Sequence, residues 1–207
     1  MHISEGVLSA PLLAGGAVIA VAGTAVGLSR LDYDDVPRAG IMGAAFYVAS
    51  LVHIPIAAGA ASIHLVLTGL VGLVLGWAAF PTILLALLLQ AVFFQFGGLT
   101  VLGVNTTVMA APAVLVWMLF GRAARSPRTR TRALASWACG FFAVFLSGIL
   151  SGVFLYLNGE SFHAAAWALV AMHLPLAVIE GFITVLAVDF LHSVRPEVLA
   201  GPLSGEG

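Results

Sequence analysis

The sequence predicts an all-α polytopic membrane protein with about seven transmembrane helices, an external N-terminus and a cytoplasmic C-terminus. Of its 207 residues, 61% are hydrophobic and only 8% are charged. Soluble domains carry roughly 25% charged residues, so this chain cannot cover a surface that faces water. The apolar residues form long continuous runs, and the positive charges lie between only some of them. These three observations define the fold class.

Polar breaks divide the chain into apolar stretches near 7–28, 39–56, 62–79, 81–96, 104–121, 132–157 and 163–192. Runs of about 18 apolar residues or more are typical of spanning helices. Their hydrophobicity is continuous rather than alternating, which excludes a transmembrane barrel. Gly76 and Pro81 indicate a tight turn between the third and fourth stretches. The last stretch exceeds the length of a simple span, so we expect it to tilt, to kink near Pro175 or to project.

The arginines predict the orientation. The chain has no lysine, and its eight basic residues are two arginines around the first break, five at 122–132 and Arg195. Threading seven spans alternately places all eight on one side, which the positive-inside rule assigns to the cytoplasm. We therefore expect a single domain over 1–207 with a basic cytoplasmic loop at 122–132. The N-terminus and the turns at 55–62, 97–103 and 158–163 then face outward.

Several classes of function are excluded by what the sequence lacks. No basic residue precedes Arg30, so a cleaved signal peptide over the first stretch is not expected. Cys139 is the one cysteine, which rules out a disulfide framework and a thiolate metal cluster. A chain without lysine cannot contain the P-loop motif, and the sequence has no HExxH or GxSxG motif. Any ATP hydrolysis must therefore come from another subunit.

The second residue, His2, suggests a metal chelate at the N-terminus, residues 1–6. The free amine of Met1, the main-chain nitrogen of His2 and the nearer imidazole nitrogen of His2 can close two fused, unstrained chelate rings. One more imidazole would complete a square-planar set of four nitrogens, which suits Ni(II) or Cu(II) and is open to low-spin Co(II). Magnesium and calcium prefer oxygen ligands.

Two histidines on the outer side are candidates for the fourth nitrogen. His64 begins the third stretch, after small residues that include Ser62 and let another backbone approach closely. His53 lies eleven residues earlier, at the end of the second stretch. Position alone favours His64 but leaves His53 open.

Further polar residues lie near this site or within the spans. The segment QFGGLTVLGVNTT is too apolar for a solvated loop, and we expect it to fold back over a pocket. Asn105, Gln90 and Gln95 could then orient metal ligands, or could simply bond neighbouring helices. His173 and Glu180 stand seven apart on one helix face. They favour either an ion or proton path or a structural pair.

The segments MHISEGVLS, ASIHLVLTGLVG and LLLQAVFFQFGGLTVLGVNTTVM resemble the substrate-binding membrane subunit of cobalt/nickel energy-coupling-factor transporters, the CbiM/NikM type. The resemblance covers nearly the whole chain. It implies metal ligation by the amine of Met1, by the amide and imidazole of His2, and by His64. It makes His53 either a pocket neighbour or a residue that orients a ligand. The family often has Asn-x-x-x-Met-Gly, whereas this chain has Ala110 after Met109.

The resemblance also implies partners and a location. We expect a multi-pass subunit of the bacterial or archaeal inner membrane, embedded in lipid, that is not itself an enzyme and binds no nucleic acid. Its partners would be a transmembrane coupling subunit, two ATPase subunits and a small accessory membrane subunit. It would hold no tight cofactor, because Co²⁺ or Ni²⁺ is the cargo. The rival hypotheses are a stand-alone carrier that uses His173 and Glu180, and an intramembrane enzyme.

Two smaller expectations concern the start of the chain. Glu5 and Gly6 are interpreted as a negative charge at a helix N-terminus and a close-packing point. The small residues of the first stretch would form a close-packing face, either against the coupling subunit or within this subunit itself. These residues are Ala10, Gly15, Gly16, Ala20 and Gly23.

Overall fold

The computed structural model describes residues 2–51, 53–56 and 61–199, with the backbone alone at 53–56 and 61–63. The helices are α1 Ala10–Ser29, α2 Val36–Ala49, α3 Thr68–Leu75, α4 Ala79–Phe94, α5 Leu102–Ala124, α6 Thr129–Leu157, α7 His163–Val194 and α8 Pro196–Leu199. The strands are β1 His2–Ile3, β2 His53–Ile56 and β3 Ala61–His64. Short 3-10 turns occupy Tyr33–Asp35, Gly76–Ala78 and Glu160–Phe162.

Each predicted apolar stretch overlaps one of the helices α1–α7, in order. Five helical segments of the described chain are long and apolar enough to cross a membrane: Ala10–Ser29, Thr68–Phe94, Leu102–Ala124, Thr129–Leu157 and Glu160–Val194. Among α1–α7, α2 has only 14 residues, and α3, the first part of the Thr68–Phe94 segment, has only 8. At 1.5 Å per residue they measure about 21 Å and about 12 Å, less than the ~30 Å hydrocarbon core. The seven-span count and the orientation therefore stay predictions.

Gly76 separates α3 from α4, at the turn that the sequence predicted. Its φ of 54° lies in the region that favours glycine, and the 3-10 turn follows directly. The chain thus changes direction between the third and fourth apolar stretches. Pro175, by contrast, lies inside α7, and the helix continues through it.

The molecule is mainly helical, as predicted. The all-α prediction nevertheless misses a small three-stranded sheet, in which β1 is an edge strand. The end of the second stretch and the start of the third form β2 and β3, and β1 adds a third strand in the order β1-β3-β2. All pairing is antiparallel, with His2 opposite Ser62 and His53 opposite His64. Proline disfavours a helical conformation in the residue before it, so Pro55 explains why α2 does not extend through Ile54.

The short helix α3 lies at the centre of the molecule, and all eight of its residues are buried. A Cβ atom on Gly69 would lie 2.6 Å from the Cα of Gly140, so α3 and α6 meet backbone to backbone. A Cβ atom on Gly72 would lie even closer to the carbonyl oxygen of Ala113 in α5. These close approaches explain why glycine is needed twice within so short a helix.

Arginines lie together at the end of the bundle where α1 and α3 finish. The Arg30 guanidinium lies 5.4 Å from the centre of the Trp77 ring. Arg125 donates a hydrogen bond to the Leu73 carbonyl (3.1 Å). Near the end of α7, Arg132 pairs with Asp189 at 2.7 Å. The β-sheet lies at the other end of α1 and α3, so these arginines are on the side away from the sheet.

The small residues of α1 do not form one free face. Gly16, Ala20 and Gly23 are buried, and Gly16 and Gly23 pack against Val104 and Phe80 of the same chain. Among the five predicted residues, Ala10 and Gly15 are exposed. The predicted face against a coupling subunit is thus largely used within this chain.

Candidate metal-capture site

The pairing of β1 with β3 brings His2 and His64 together. Their ring centroids lie 4.7 Å apart, and the ring planes are inclined by 32°. Both side chains are buried, with exposed fractions of 3% and 4%. Two residues that are far apart in the sequence therefore form one enclosed pair of imidazoles.

The hydrogen bond of His64 leaves one ring nitrogen open to a metal. Its Nδ1 donates to the Leu65 carbonyl at 2.9 Å, which makes Nε2 the nitrogen with the free lone pair. Nε2 is buried and has no hydrogen-bond partner among the described residues. Burial lowers the pKa of His64 to about 4, against a smaller opposite effect of the Leu65 hydrogen bond. The ring is therefore neutral at pH 7, as a metal ligand must be.

Asn105 holds β1 from α5. The Ile3 amide donates to Asn105 Oδ1 at 2.9 Å, and Asn105 Nδ2 donates to the Ile3 carbonyl at 3.1 Å. The Asn105 side chain is 2% exposed, so both bonds are shielded from water. This carboxamide acts as a strand partner for the residue that follows His2, and it thereby fixes where His2 lies.

The segment between α4 and α5 covers the site, as the sequence predicted. Glu5 N–H donates to the Gly97 carbonyl (2.7 Å), and Leu99 N–H donates to Glu5 Oε2 (3.2 Å). A Cβ atom on Gly97 would lie 2.8 Å from Asn105 Nδ2 and 3.4 Å from His2 Nδ1. The backbone of the cover thus lies directly against Asn105 and His2.

The interpretation of Glu5 and Gly6 is wrong. No acidic residue lies in the first turn of α1, which begins at Ala10, and the Glu5 carboxylate instead binds the cover at Leu99. Gly6 has a φ of +79° and nothing within 4 Å of its Cβ position. It provides a turn between β1 and α1 rather than a packing point.

The other predicted site residues have different positions. Met1, which would supply the amine, lies outside the described residues, as do the side chains of His53 and Ser62. Gln90 is not brought to the site: its amide donates to the Tyr47 carbonyl (3.3 Å) and to the Ser50 hydroxyl, linking α4 to α2. Among the described residues, no group of three or more His, Cys, Asp or Glu side chains forms a metal site.

His173 and Glu180 are both fully buried in α7, and each bonds to main chain. His173 Nδ1 donates to the Leu169 carbonyl, one turn earlier, at 2.6 Å. The Glu180 carboxylate accepts hydrogen bonds from the amides of Val66 and Leu67. Sequence reasoning selected Glu180 but missed this contact, because its partners are 113 and 114 residues away and are backbone groups.

Known proteins with the same pattern identify the family. Residues 2–198 match the family described as the cobalt uptake substrate-specific transmembrane region, CbiM. The chain belongs to the CbiM family. It is accordingly a membrane transport protein of the cobalt/nickel type, and its metal is a transported substrate.

Individual relatives agree with this assignment. A Haemophilus influenzae protein named for metal transport is 45% identical over 202 residues, covering 96% of this chain and 97% of the relative. The cobalt transport protein CbiM of Sorangium cellulosum is 31% identical, covering 96% and 94%. The fused nickel transport protein NikMN of Rhodobacter capsulatus is 30% identical, and the match covers 97% of this CbiM-family chain and 64% of the relative.

The fold has been seen before in a solved structure. The crystal structure of a truncated transition metal transporter superposes with a TM-score of 0.75 at 25% identity. The match covers 93% of this chain and 99% of the other. Met109 and Ala110 are both buried in α5.

Proposed function

We propose that this chain is the substrate-specific component of an ATP-driven energy-coupling-factor importer for Co²⁺ or Ni²⁺. It captures the ion on the outer side of the membrane and releases it inward. ATP hydrolysis occurs on partner subunits. The site would be the enclosed pair formed by His2 and His64, at the end of the bundle away from the arginines.

The observation that supports this proposal best is the state of His64. Its tautomer is fixed by the Leu65 carbonyl, and its Nε2 is buried, neutral and open beside the His2 ring. Metal-binding histidines commonly donate their other ring nitrogen to a backbone carbonyl in this way. The remaining donors would be the amine of Met1 and the amide and imidazole nitrogens of His2, which complete a set of four nitrogens. Such a set suits Ni(II) or Co(II) of low spin.

The arrangement of charges supports the proposed direction of transport. Arg30, Arg125 and Arg132 lie at the end of the bundle opposite the candidate site. Positive charge is concentrated on the cytoplasmic side of membrane proteins, so the site would face outward. A transmembrane coupling subunit, two ATPase subunits and a small accessory membrane subunit would complete the importer in the cell membrane.

Metal analysis of purified protein tests the ligand set. The wild-type chain should retain about one Ni²⁺ or Co²⁺ after desalting, and His2→Ala and His64→Ala should each retain far less. His163→Ala is the matched control, because His163 stacks on Tyr156 with a centroid distance of 3.8 Å and belongs to no part of the site. Equal metal content in the wild-type, His2→Ala and His64→Ala proteins would rule out this ligand set.

A further inference from the structure

The fully buried carboxylate of Glu180 reaches across from α7 to the turn that follows His64. Val66 N–H donates to Glu180 Oε1. Leu67 N–H donates to both carboxylate oxygens, at 3.0 Å and 3.1 Å. A buried carboxylate is costly to desolvate, and these hydrogen bonds offset that cost. Nothing in the chelate of four nitrogens requires this residue.

One peptide group connects Glu180 to His64. The peptide between Leu65 and Val66 uses its carbonyl oxygen to accept the hydrogen bond of His64 Nδ1, at 2.9 Å. The same peptide uses its N–H to donate to Glu180 Oε1. The carboxylate, the peptide and the imidazole therefore form a continuous chain of hydrogen bonds that ends at the open Nε2.

We propose that Glu180 is a positioning residue for metal capture, which acts on His64 through the Leu65–Val66 peptide. This inference rests on the proposed function. Hydrogen-bonded groups polarise one another, so a carboxylate on the N–H makes the carbonyl a stronger acceptor. The stronger acceptor holds the His64 tautomer and makes Nε2 a better donor to the metal. Carboxylate–histidine–metal triads do the same with direct contact.

Glu180 also stabilises the unusual backbone conformation of the turn that it contacts. Leu67 has a φ of 55°, in the left-handed region. This conformation is disfavoured for a residue that carries a Cβ atom. Leu67 also immediately precedes α3, so a negative charge at its amide interacts favourably with the helix dipole. Glu180 thus stabilises the turn that sets the direction of the His64 side chain.

The test is Glu180→Gln, measured in the wild-type chain and in His64→Ala. Titration with Ni²⁺ gives the dissociation constant, and the visible d–d absorption band reports the ligand field. We expect Glu180→Gln to weaken binding about 10- to 100-fold in the wild-type background, with a shifted band. In His64→Ala, it should cause no further loss. Thr184→Val is the matched control, a buried polar residue one turn along α7, and should bind like wild type.

The outcomes separate this inference from the proposed function. If Glu180→Gln binds Ni²⁺ with wild-type affinity and an unchanged absorption band, the positioning role of Glu180 is overturned. An equal loss of Ni²⁺ affinity in the His64→Ala background would overturn that role as well. Failure of the wild-type chain to bind Ni²⁺, or of His64→Ala to weaken binding, would instead overturn the ligand set. If Glu180→Gln does not fold, Glu180→Asp keeps the charge and shortens the reach. Its loss of affinity must likewise depend on His64.

Discussion

Two hydrogen bonds between the Asn105 side chain and the backbone hold the residue beside His2. Both are made to Ile3, on the edge of β1 that β3 does not occupy. The residues of β1 therefore have partners on both sides. A two-residue strand has too few bonds of its own to remain in place.

Asn105→Ala should lower Ni²⁺ affinity by about 10- to 100-fold, because it releases the residue next to a ligand. It also leaves a buried N–H and C=O unpaired, which costs about 1–3 kcal/mol of folding free energy. Gln90→Ala is the control, since it breaks bonds between α4 and α2. Titration and thermal unfolding should show lost stability in both variants but lost affinity only in Asn105→Ala. Equal affinities in the two variants would contradict this role of Asn105.

Gly97→Ala should also weaken metal binding, because the added methyl would press on Asn105 and His2. A Cβ atom at this position would lie 2.8 Å from Asn105 Nδ2, and the φ of +76° adds strain. Gly159→Ala separates the two effects, since Gly159 has a φ of +131° with nothing within 4 Å of its Cβ position. Both variants should lose thermal stability, and only Gly97→Ala should lose Ni²⁺ affinity. A loss of affinity in Gly159→Ala of the same size would show that strain alone is responsible.

At the scale of elements, α3 is held at both ends by charged side chains from other parts of the chain. Glu180 accepts from the amides at its N-terminus, and Arg125 donates to the Leu73 carbonyl near its C-terminus. Both charges interact favourably with the dipole of α3. Burial and the nearby charge of Arg38 lower the pKa of Arg125 from its usual value. A helix of 8 residues has little stability of its own and needs such support.

Arg125→Gln should therefore destabilise the protein by about 1–2 kcal/mol while leaving Ni²⁺ affinity within a few-fold of wild type. Arg122→Gln, at an exposed position in the last turn of α5, is the control and should leave stability nearly unchanged. Thermal unfolding in detergent measures the first effect, and metal titration measures the second. If Arg125→Gln and Arg122→Gln unfold at the same temperature, the contact with Leu73 does not stabilise α3.

The sequence predicted the helices well because their apolar runs are local signals. It could not predict the sheet, since β1 has two residues and finds its partners about 60 residues away, at Ala61 and Ser62. Chelate chemistry and family resemblance selected His2 and His64, and the structure brings their rings together, while their role as metal ligands stays a prediction. The contacts of Glu5 and Glu180 were missed because both carboxylates bind backbone amides, and such amides are present at nearly every residue.

At the scale of the whole molecule, metal capture should release protons. An α-amino group is mostly protonated at pH 7 and a backbone amide keeps its proton, so ligation by the Met1 amine and the His2 amide should together release about two protons. His64, with a pKa of about 4, is already neutral and releases none. Binding should therefore weaken as pH falls from 8 to 6, where the amine takes up its proton.

Isothermal titration with Ni²⁺ in two buffers of different ionisation enthalpy measures this release directly. The apparent binding enthalpy should differ between the buffers by about twice the difference between their ionisation enthalpies. His64→Ala should bind more weakly and release the same number. A heat that does not depend on the buffer would exclude ionisation of the His2 amide and the Met1 amine.

Transport itself should require the partners. The chain in liposomes should take up no Co²⁺ or Ni²⁺ without the coupling and ATPase subunits, because it contains no P-loop motif. Uptake by the chain alone would favour the rival carrier that uses His173 and Glu180. Proteoliposomes loaded with a metal-sensitive dye provide the measurement, with ATP added inside or omitted.

The most direct test of the central claim is to block the N-terminal amine. The chain with a free Met1 amine should bind one Ni²⁺ or Co²⁺, and the same chain acetylated at Met1 or extended by one residue should bind almost none. Either change removes one of the four nitrogens and leaves the imidazoles of His2 and His64 in place. Metal binding by the blocked chain with unchanged affinity would contradict the proposed site.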